Sequence, residues 1–302
     1  MSNMRYSIII PQKDSLDTLK RLIDSIPYRD DLEIIVVDNS PKSITYEDIG
    51  TKRPIDLHHC PAEKYAGGAR NTGMAAAKGE WLVFADADDF FTPTAFDSFD
   101  KYAESKYDLV YFKVNSVYSD TLEVCNRGDM FSEIVDKYNN REITDIETRL
   151  LYTVPWGKMV RSALVRDNNI QFDEVLAAND VMFSTLVGYY ATSFCVSTDI
   201  VYTLTVRKGS LAMRKGFDVT LSRFNVTLRR NRFLKDHGLS NYQSSVMTFL
   251  FHSISAGIDK PFILLYKALK NRQNIFIGAT NWIKTYKRLK EEKRKRYNYQ
   301  TE

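Results

Sequence analysis

Cysteine is scarce in this sequence, and its scarcity excludes two classes of protein. Cys60, Cys125 and Cys195 are the only three in 302 residues. An odd number, far apart and in no metal-ligand spacing, makes neither a disulfide framework nor a thiolate metal centre, and it suits a reducing compartment. The four histidines, His58, His59, His237 and His252, form no triad or ligand pattern and read as structural. Long apolar runs are missing too. Residues 261–265 and 275–278 come nearest and are soon interrupted by Lys and Asn, well short of the roughly 20 apolar residues that cross a bilayer. The N-terminus, Met-Ser-Asn-Met-Arg-Tyr, lacks the apolar stretch of a signal peptide, so the expected location is cytoplasmic. The sequence has no tandem repeat, no low-complexity linker, no Walker loop and no Gly-x-Gly-x-x-Gly fingerprint.

What remains is globular material, 44% hydrophobic and 26% charged, enough for one large domain and an appendage. Its charge is uneven. Of 42 Lys/Arg and 38 Asp/Glu, 11 and 3 lie from Lys267 onward, which leaves 31 and 35 in residues 1–266. The body is mildly acidic and the tail strongly basic.

Tyr6 to Ile10 is an apolar run ended by Pro11, and a helical pattern follows with Leu16, Leu19, Leu22, Ile23 and Ile26 on one face after Ser15 as N-cap. Leu32 to Val37 is a second buried strand, closed by Asp38-Asn39-Ser40-Pro41. Strand, helix and strand in this short compass are a βαβ unit of a parallel sheet. A third strand is expected at 55–59. Gly67-Gly68 then opens an Ala-rich helix to Lys78, with Gly79 as its C-terminal stop. The next strand begins at Glu80, and a helix over 93–105 and a strand over 109–117 continue the alternation. Helices are expected at 144–152, 161–168 and 179–190, with Val154-Pro155-Trp156-Gly157-Lys158 as a connection, and one or two strands at 194–206. Beyond 217 only helical patterns appear, at 219–235, 242–258, 262–269 and 275–296. The predicted division is an α/β domain over residues 1–212 and a helical region with a basic amphipathic tail over 213–302.

The stretch Glu80-Trp-Leu-Val-Phe-Ala-Asp86-Ala-Asp88-Asp89 carries the densest chemistry. A buried strand ends there in three carboxylates, at the carboxyl edge of a parallel sheet, where open α/β folds bind ligands. In extended chain Asp86 and Asp88 share a face about 6.5–7 Å apart, within reach of one hydrated cation, although Asp residues also close strands as polar turns. Asp38 ends the second strand, as an acceptor for a nucleobase or ribose or as a turn cap. Gly67-Gly68-Ala69-Arg70-Asn71 brings small residues and a guanidinium to a helix start, which suits an anionic or nucleotide ligand. Asp180 opens an apolar helix, facing a cleft or complementing the helix dipole.

Ser7-Ile-Ile-Ile-Pro11, Glu33-Ile-Ile-Val-Val-Asp38, Gly68-Ala-Arg70-Asn71-Thr-Gly73 and Gly79-Glu-Trp-Leu-Val-Phe-Ala-Asp86-Ala-Asp88-Asp89, in this order and at these separations, resemble the family 2 glycosyltransferases. Trp156-Gly-Lys158, Phe172-Asp-Glu, Asn179-Asp180-Val-Met-Phe183, Tyr202, Arg207 and Ser210 look like later landmarks of the same family. The resemblance covers roughly residues 5–210. It implies a GT-A fold, a Rossmann-like and mostly parallel sheet flanked by helices, here with a C-terminal helical appendage. It further implies an inverting enzyme that moves a sugar from a nucleotide-sugar, UDP-linked above all, to a glycan or lipid-linked glycan in bacterial cell-surface polysaccharide or capsule assembly.

By the family pattern Asp88 holds Mn²⁺ or Mg²⁺, Asp86 contacts ribose and metal, and Pro11, Asp38 and Arg70 face the nucleoside. Asp180 stands where the family places its general base. Trp156, Lys158 and Arg207 are candidate acceptor or diphosphate contacts, although a Trp between helices is as often core. Three departures bear on donor positioning: Gln12-Lys13-Asp14 replaces an aromatic-Asn pair, Asn39 replaces a second Asp, and Asn179 stands where Glu is frequent. The Gln-x-x-Arg-Trp signature of processive synthases is absent, which points to one sugar at a time.

Two other readings are weaker. A sugar-nucleotide nucleotidyltransferase would carry a Gly-x-Gly-x-Arg-type loop after the first strand, and Pro11-Gln-Lys-Asp is not one. A non-catalytic protein using the tail on membrane or nucleic acid has no need of the Asp86, Asp88 and Asp180 set, and no nucleic-acid partner is expected. The tail, Lys284 to Arg296 with Trp282, Ile283, Tyr286 and Leu289, reads either as an anionic-membrane contact on the inner face of the plasma membrane or as a solvated helix face.

Overall fold

The apolar runs near the N-terminus form the middle of a sheet because nearly all of their residues are covered on both faces. In the computed structural model, which describes residues 4–206 and 216–278, β1 (Tyr6–Gln12) is buried throughout and β2 (Leu32–Asp38) almost throughout. Continuous burial of this kind is what a parallel sheet layered by helices demands of its strands. β2 pairs with β1 in parallel, with Gln12 opposite Asp38. β3 (Asp56–His59) pairs with β2, and β4 (Trp81–Phe84) lies on the other side of β1, both also parallel. The chain therefore reverses its direction of travel across the sheet between β1 and β4, and the crevice at such a reversal is where these sheets take ligands.

The first helix, α1 (Leu16–Asp24), buries Leu19, Leu22 and Ile23 on the face the periodicity indicates. A single turn, α2 (Tyr46–Ile49), follows β2. α3 (Tyr65–Ala76) connects β3 to β4 and packs so closely on β1 that a Cβ at Gly73 would lie 2.5 Å from Ile9 Cγ2.

The far half of the sheet departs from the expected alternation. Its order is β3-β2-β1-β4-β7-β6-β8-β5, with β5 (Phe90–Phe91), β6 (Leu109–Tyr118), β7 (Lys158–Arg161) and β8 (Phe194–Val206). β7 runs antiparallel to both β4 and β6, and β8 runs parallel to β6. The sequence pattern ends a connection at Lys158 and opens a helix at Arg161; Lys158–Arg161 instead form a central strand. Four residues are too short to show a period of two, and the adjoining helix α7 (Ser162–Asp167) dominates the pattern. α4 (Ala95–Ala103), α6 (Asp145–Leu151) and α8 (Val181–Tyr190) match expected helices, α6 behind a capping box of Thr144 and Glu147. α5 (Asp129–Asn139) was not foreseen, although Phe131, Ile134 and Val135 sit at helical spacing and are buried.

The chain divides into two units, Met1–Arg214 and Lys215–Glu302. The second contains α9 (Phe217–Asp236), α10 (Met247–Ser253) and α11 (Lys260–Lys270) around Phe224, Leu228, Val246, Leu250, Leu264 and Ala268. The single helix expected over 242–258 is broken: 3-10 turns occupy Ser240–Tyr242 and Ile254–Ala256, and Gly257 follows with φ 145°, a conformation that favours glycine. Residues 275–278 form a turn, and the basic tail from 279 lies outside the described residues, as do Arg207 and Ser210. No helix among the described residues is long and apolar enough to cross a membrane.

Candidate active site

Arg70 is the centre of the site. One face of α3 carries Gly67, Arg70 and Asn71, residues three and four apart and thus neighbours on the helix surface. A Cβ at Gly67 would fall 1.9 Å from the carbonyl oxygen of Asp173, so glycine there lets the chain that precedes α8 approach α3 closely. Asn71 then clamps that chain in both directions, donating to Phe172 O at 3.0 Å and accepting from Phe172 N at 2.8 Å. Phe172 itself stacks on Phe183 of α8, with ring centroids 3.9 Å apart. Arg70, 4% exposed, finishes the junction. Its Nη1 donates to Asn179 Oδ1 at 2.7 Å and its Nη2 to Asp86 Oδ1 at 2.5 Å. One guanidinium thus ties the carboxylate after β4 to the residue before Asp180, and its two donor groups are aimed by the planar fork that lysine lacks.

The carboxylate turn is held from β8 and α1. Tyr202 accepts from Asp86 N at 2.8 Å and donates to Asp89 Oδ2 at 3.0 Å. Thr205 donates its amide to Asp89 Oδ1 at 2.7 Å and its hydroxyl to Asp88 O at 2.6 Å. Arg21 of α1 donates to the same Asp88 carbonyl at 2.6 Å. Asp89 is buried, and burial, followed by the charges of Asp88 and Asp86, pushes its carboxyl well above the usual range against its two hydrogen bonds. Asp86 and Asp88 are only half-buried. The three acids therefore divide: Asp89 is spent on the scaffold, while Asp86, whose carboxylate also meets Arg70, and Asp88 keep part of their surface exposed.

Asp180 is the N-cap residue of α8, yet its side chain makes no capping hydrogen bond. Ala178, two residues earlier, has φ 62°, a left-handed conformation that costs an alanine about 1 kcal/mol or more and turns the chain into the helix. Burial raises the Asp180 carboxyl above its ordinary value, the Arg70 charge opposes that rise, and Asp86 adds to it. Asp180 is half-buried, as Asp86 and Asp88 are, and a carboxylate partly withdrawn from water and not consumed by its own helix is suited to receiving a proton.

The remaining predicted residues are placed differently. Asp38 is 1% exposed, and its carboxylate accepts from the amides of Ser40 at 3.2 Å and Ile44 at 3.1 Å, with His59 Nδ1 at 3.5 Å. It caps the loop at the end of β2. Pro11 is buried inside β1, opposite Val37. Trp156 stacks on Tyr202 at 5.8 Å, and Lys158, 1% exposed, donates to Tyr152 O at 3.0 Å between the rings of Tyr111 and Tyr152. Burial brings the Lys158 ammonium down to about 7, with Asp180 opposing. Both belong to the packing behind the site. Tyr202 and Asn71 entered the sequence reading only as parts of motifs, and Arg21 and Thr205 did not enter it; the 67, 70, 71 spacing was the one available signal that α3 presents a special face.

A divalent cation fits this set in one form. No three His, Cys, Asp or Glu converge among the described residues, so a closed protein cage is not offered. Two half-buried carboxylates on a fixed turn are what Mg²⁺ or Mn²⁺ uses when substrate phosphates and water complete its shell.

A family model described as "Glycosyl transferase family 2" matches residues 7–166, more than half of the chain. The chain is a family 2 glycosyltransferase. Among curated relatives of this glycosyltransferase, the Staphylococcus aureus poly(ribitol-phosphate) beta-N-acetylglucosaminyltransferase TarS is 27% identical over 209 residues, covering 66% of this chain and 35% of the relative. The poly(ribitol-phosphate) beta-glucosyltransferase of Bacillus spizizenii is 24% identical over 225 residues, 68% of this chain and 33% of that protein. The chain thus spans about a third of the length of these relatives. The crystal structure of S. aureus TarS 1-349 in complex with UDP-GlcNAc aligns with TM-score 0.61 at 22% identity, covering 83% of this chain and 73% of that one. The Pyrobaculum calidifontis mannosyltransferase PcManGT, solved with GDP-Man and Mn²⁺, aligns with TM-score 0.55 at 17% identity over 88% and 79%. The fold is GT-A, the α/β architecture that the sequence implied.

Proposed function

We propose that this glycosyltransferase is inverting and metal-dependent, and moves one sugar from a UDP-sugar to a glycan or lipid-linked glycan acceptor in cell-surface polysaccharide assembly. The observation that carries the reading is Arg70, whose two hydrogen bonds bring Asp86, on the donor side, next to Asn179 and hence to Asp180. Asp180 takes the proton of the acceptor hydroxyl as that oxygen attacks the anomeric carbon. Asp86 and Asp88 hold Mn²⁺ or Mg²⁺ together with the donor diphosphate, and the cation, when bound, offsets the charge that develops on that leaving group. Asp180 is the one carboxylate assigned to proton transfer, while Asp86 is held by Arg70 and assigned to the donor, and a single base of this kind favours one displacement with inversion.

Asp38 acts by shaping the 39–44 loop at the nucleoside end, and Arg207 is the diphosphate contact implied by its motif. The relatives named for glucosyl and N-acetylglucosaminyl transfer to poly(ribitol-phosphate), and the UDP-GlcNAc complex, support a UDP-sugar and a cell-surface acceptor. The PcManGT complex with Mn²⁺ supports the metal. The basic tail holds the enzyme at the inner face of the plasma membrane.

The deciding experiment is a calorimetric screen of UDP, GDP and their sugars with and without Mn²⁺. UDP-sugar binding that strengthens with metal is expected; absence of binding by every nucleotide under every metal condition ends the donor-site assignment.

A further inference from the structure

We propose that the solvent-facing side of α11 is a docking surface for an anionic lipid bilayer. This rests on the reading of a membrane-held acceptor and gives it a structural surface separate from the basic tail.

In α11, Leu264 and Ala268 are fully buried in the core of the second unit. On the opposite side Phe262 is 68% exposed, Tyr266 65% and Leu269 56%. Their spacing of four and three residues puts them on one stripe. Ile258 just before the helix and Phe276 just after it are exposed as well. Exposed apolar residues standing singly are ordinary; three large ones aligned on the outer face of one helix mark an interaction surface. The unit's own packing accounts for Leu264 and Ala268 and leaves this stripe uncovered among the described residues.

The charge around the stripe selects its occupant. Residues 260–278 contain Lys260, Lys267, Lys270 and Arg272 and no Asp or Glu, and the sequence from 279 to the end adds eight Lys/Arg against three acids; the one acid beside the helix, its N-cap Asp259, is paired with Lys260 at 2.9 Å, which leaves Lys267, Lys270 and Arg272 as the cations for a surface. An apolar face with aromatic residues, followed by cations and with its one acid, Asp259, neutralised by Lys260, is the composition of a helix lying in the plane of a bilayer, with its rings at headgroup depth and its cations against anionic lipid. Each cation near such a surface is worth about 1 kcal/mol, roughly fivefold in binding.

The test is flotation of the full chain with phosphatidylcholine vesicles, plain or carrying about 30% phosphatidylglycerol. Binding to the anionic vesicles is expected to exceed binding to plain ones at least tenfold and to weaken with salt. The triple variant Phe262→Ser, Tyr266→Ser, Leu269→Ser is expected to lose at least tenfold, with its melting temperature and nucleotide-sugar turnover on a soluble acceptor unchanged. A tail variant, Lys293→Gln, Arg294→Gln, Lys295→Gln, Arg296→Gln, is expected to retain part of the binding. Undiminished binding by the triple variant would put the affinity in the tail alone and overturn the proposal. So would absence of vesicle binding by the intact chain, or self-association that the triple variant abolishes. Nucleotide-sugar turnover is read on the same preparations: its absence alongside vesicle binding that requires the stripe would remove the enzymatic reading and leave the docking surface standing.

Discussion

Replacing Asp180 by Asn tests the site through two readouts that move in opposite directions. The side chain keeps its shape and loses its charge. As the base, Asp180 accounts for a factor of about 10²–10⁴ in the chemical step, equivalent to about 3–5 kcal/mol of barrier. Transfer is expected to fall by that factor while donor binding, measured calorimetrically, changes little. Stability is expected to rise. Burial holds the Asp180 carboxyl above its ordinary value, so the folded protein binds this proton more tightly than the unfolded chain does. The carboxylate therefore costs stability as pH rises from the ordinary Asp range through the raised folded value, and Asn carries no such cost. A higher melting temperature is expected at pH 7–8, with the gain shrinking as pH falls into the ordinary Asp range. Transfer kept within tenfold of the parent would take the base role from Asp180. A variant that loses transfer but melts lower at neutral pH would show instead that Asp180 is a structural residue paired with Arg70.

The other expectations follow from the same contacts. Rate against pH should fall on the acid side at a higher pH than an ordinary carboxylate gives, because the base must be ionised; Arg70→Met removes the charge that lowers the Asp180 value, so the limb should move further up, which a kcat/KM profile reads. The same variant leaves Asp86 and Asn179 without their shared donor and should cost about 2–3 kcal/mol in a denaturant melt, somewhat under the usual figure for a broken buried pair because Asp86 is partly exposed. Tyr202→Phe deprives Asp86 N and Asp89 of a partner and should cost about 2–4 kcal/mol, with donor KM and the metal concentration for half-maximal rate rising more than kcat falls. Lys158→Met should stabilise most at or below pH 7, where the folded ammonium pays the whole burial cost, and least above pH 10; the fall from the ordinary 10.5 to about 7 sets an upper limit of roughly 4–5 kcal/mol, and thermal melts at the two pH values check it. Chelation of divalent metal should abolish transfer, with recovery on adding Mn²⁺ or Mg²⁺; full activity in the chelator would remove the cation from the proposal.

The sequence by itself determined the half of the fold that local pattern governs. β1, β2, α1, α3 and β4 were readable because their apolar runs are long and their caps and glycines stand where the chemistry of helix ends requires. The carboxylates at 86–89 were readable because a buried strand that ends in three acids needs a reason. Other features depended on partners distant in the chain. β7 is four residues whose strand character comes only from lying between β4 and β6. Asp89 became scaffold through Tyr202 and Thr205, more than a hundred residues away, and Asp38 closed on amides of its own loop. Lys158 and Trp156, named for their chemistry, turned inward because the sheet needed filling there. Above all, tertiary structure decided that Arg70 joins Asp86 to the segment bearing Asp180: the residue types were plain in the chain, but a guanidinium shows which two groups it bridges only after folding has brought them within hydrogen-bond reach.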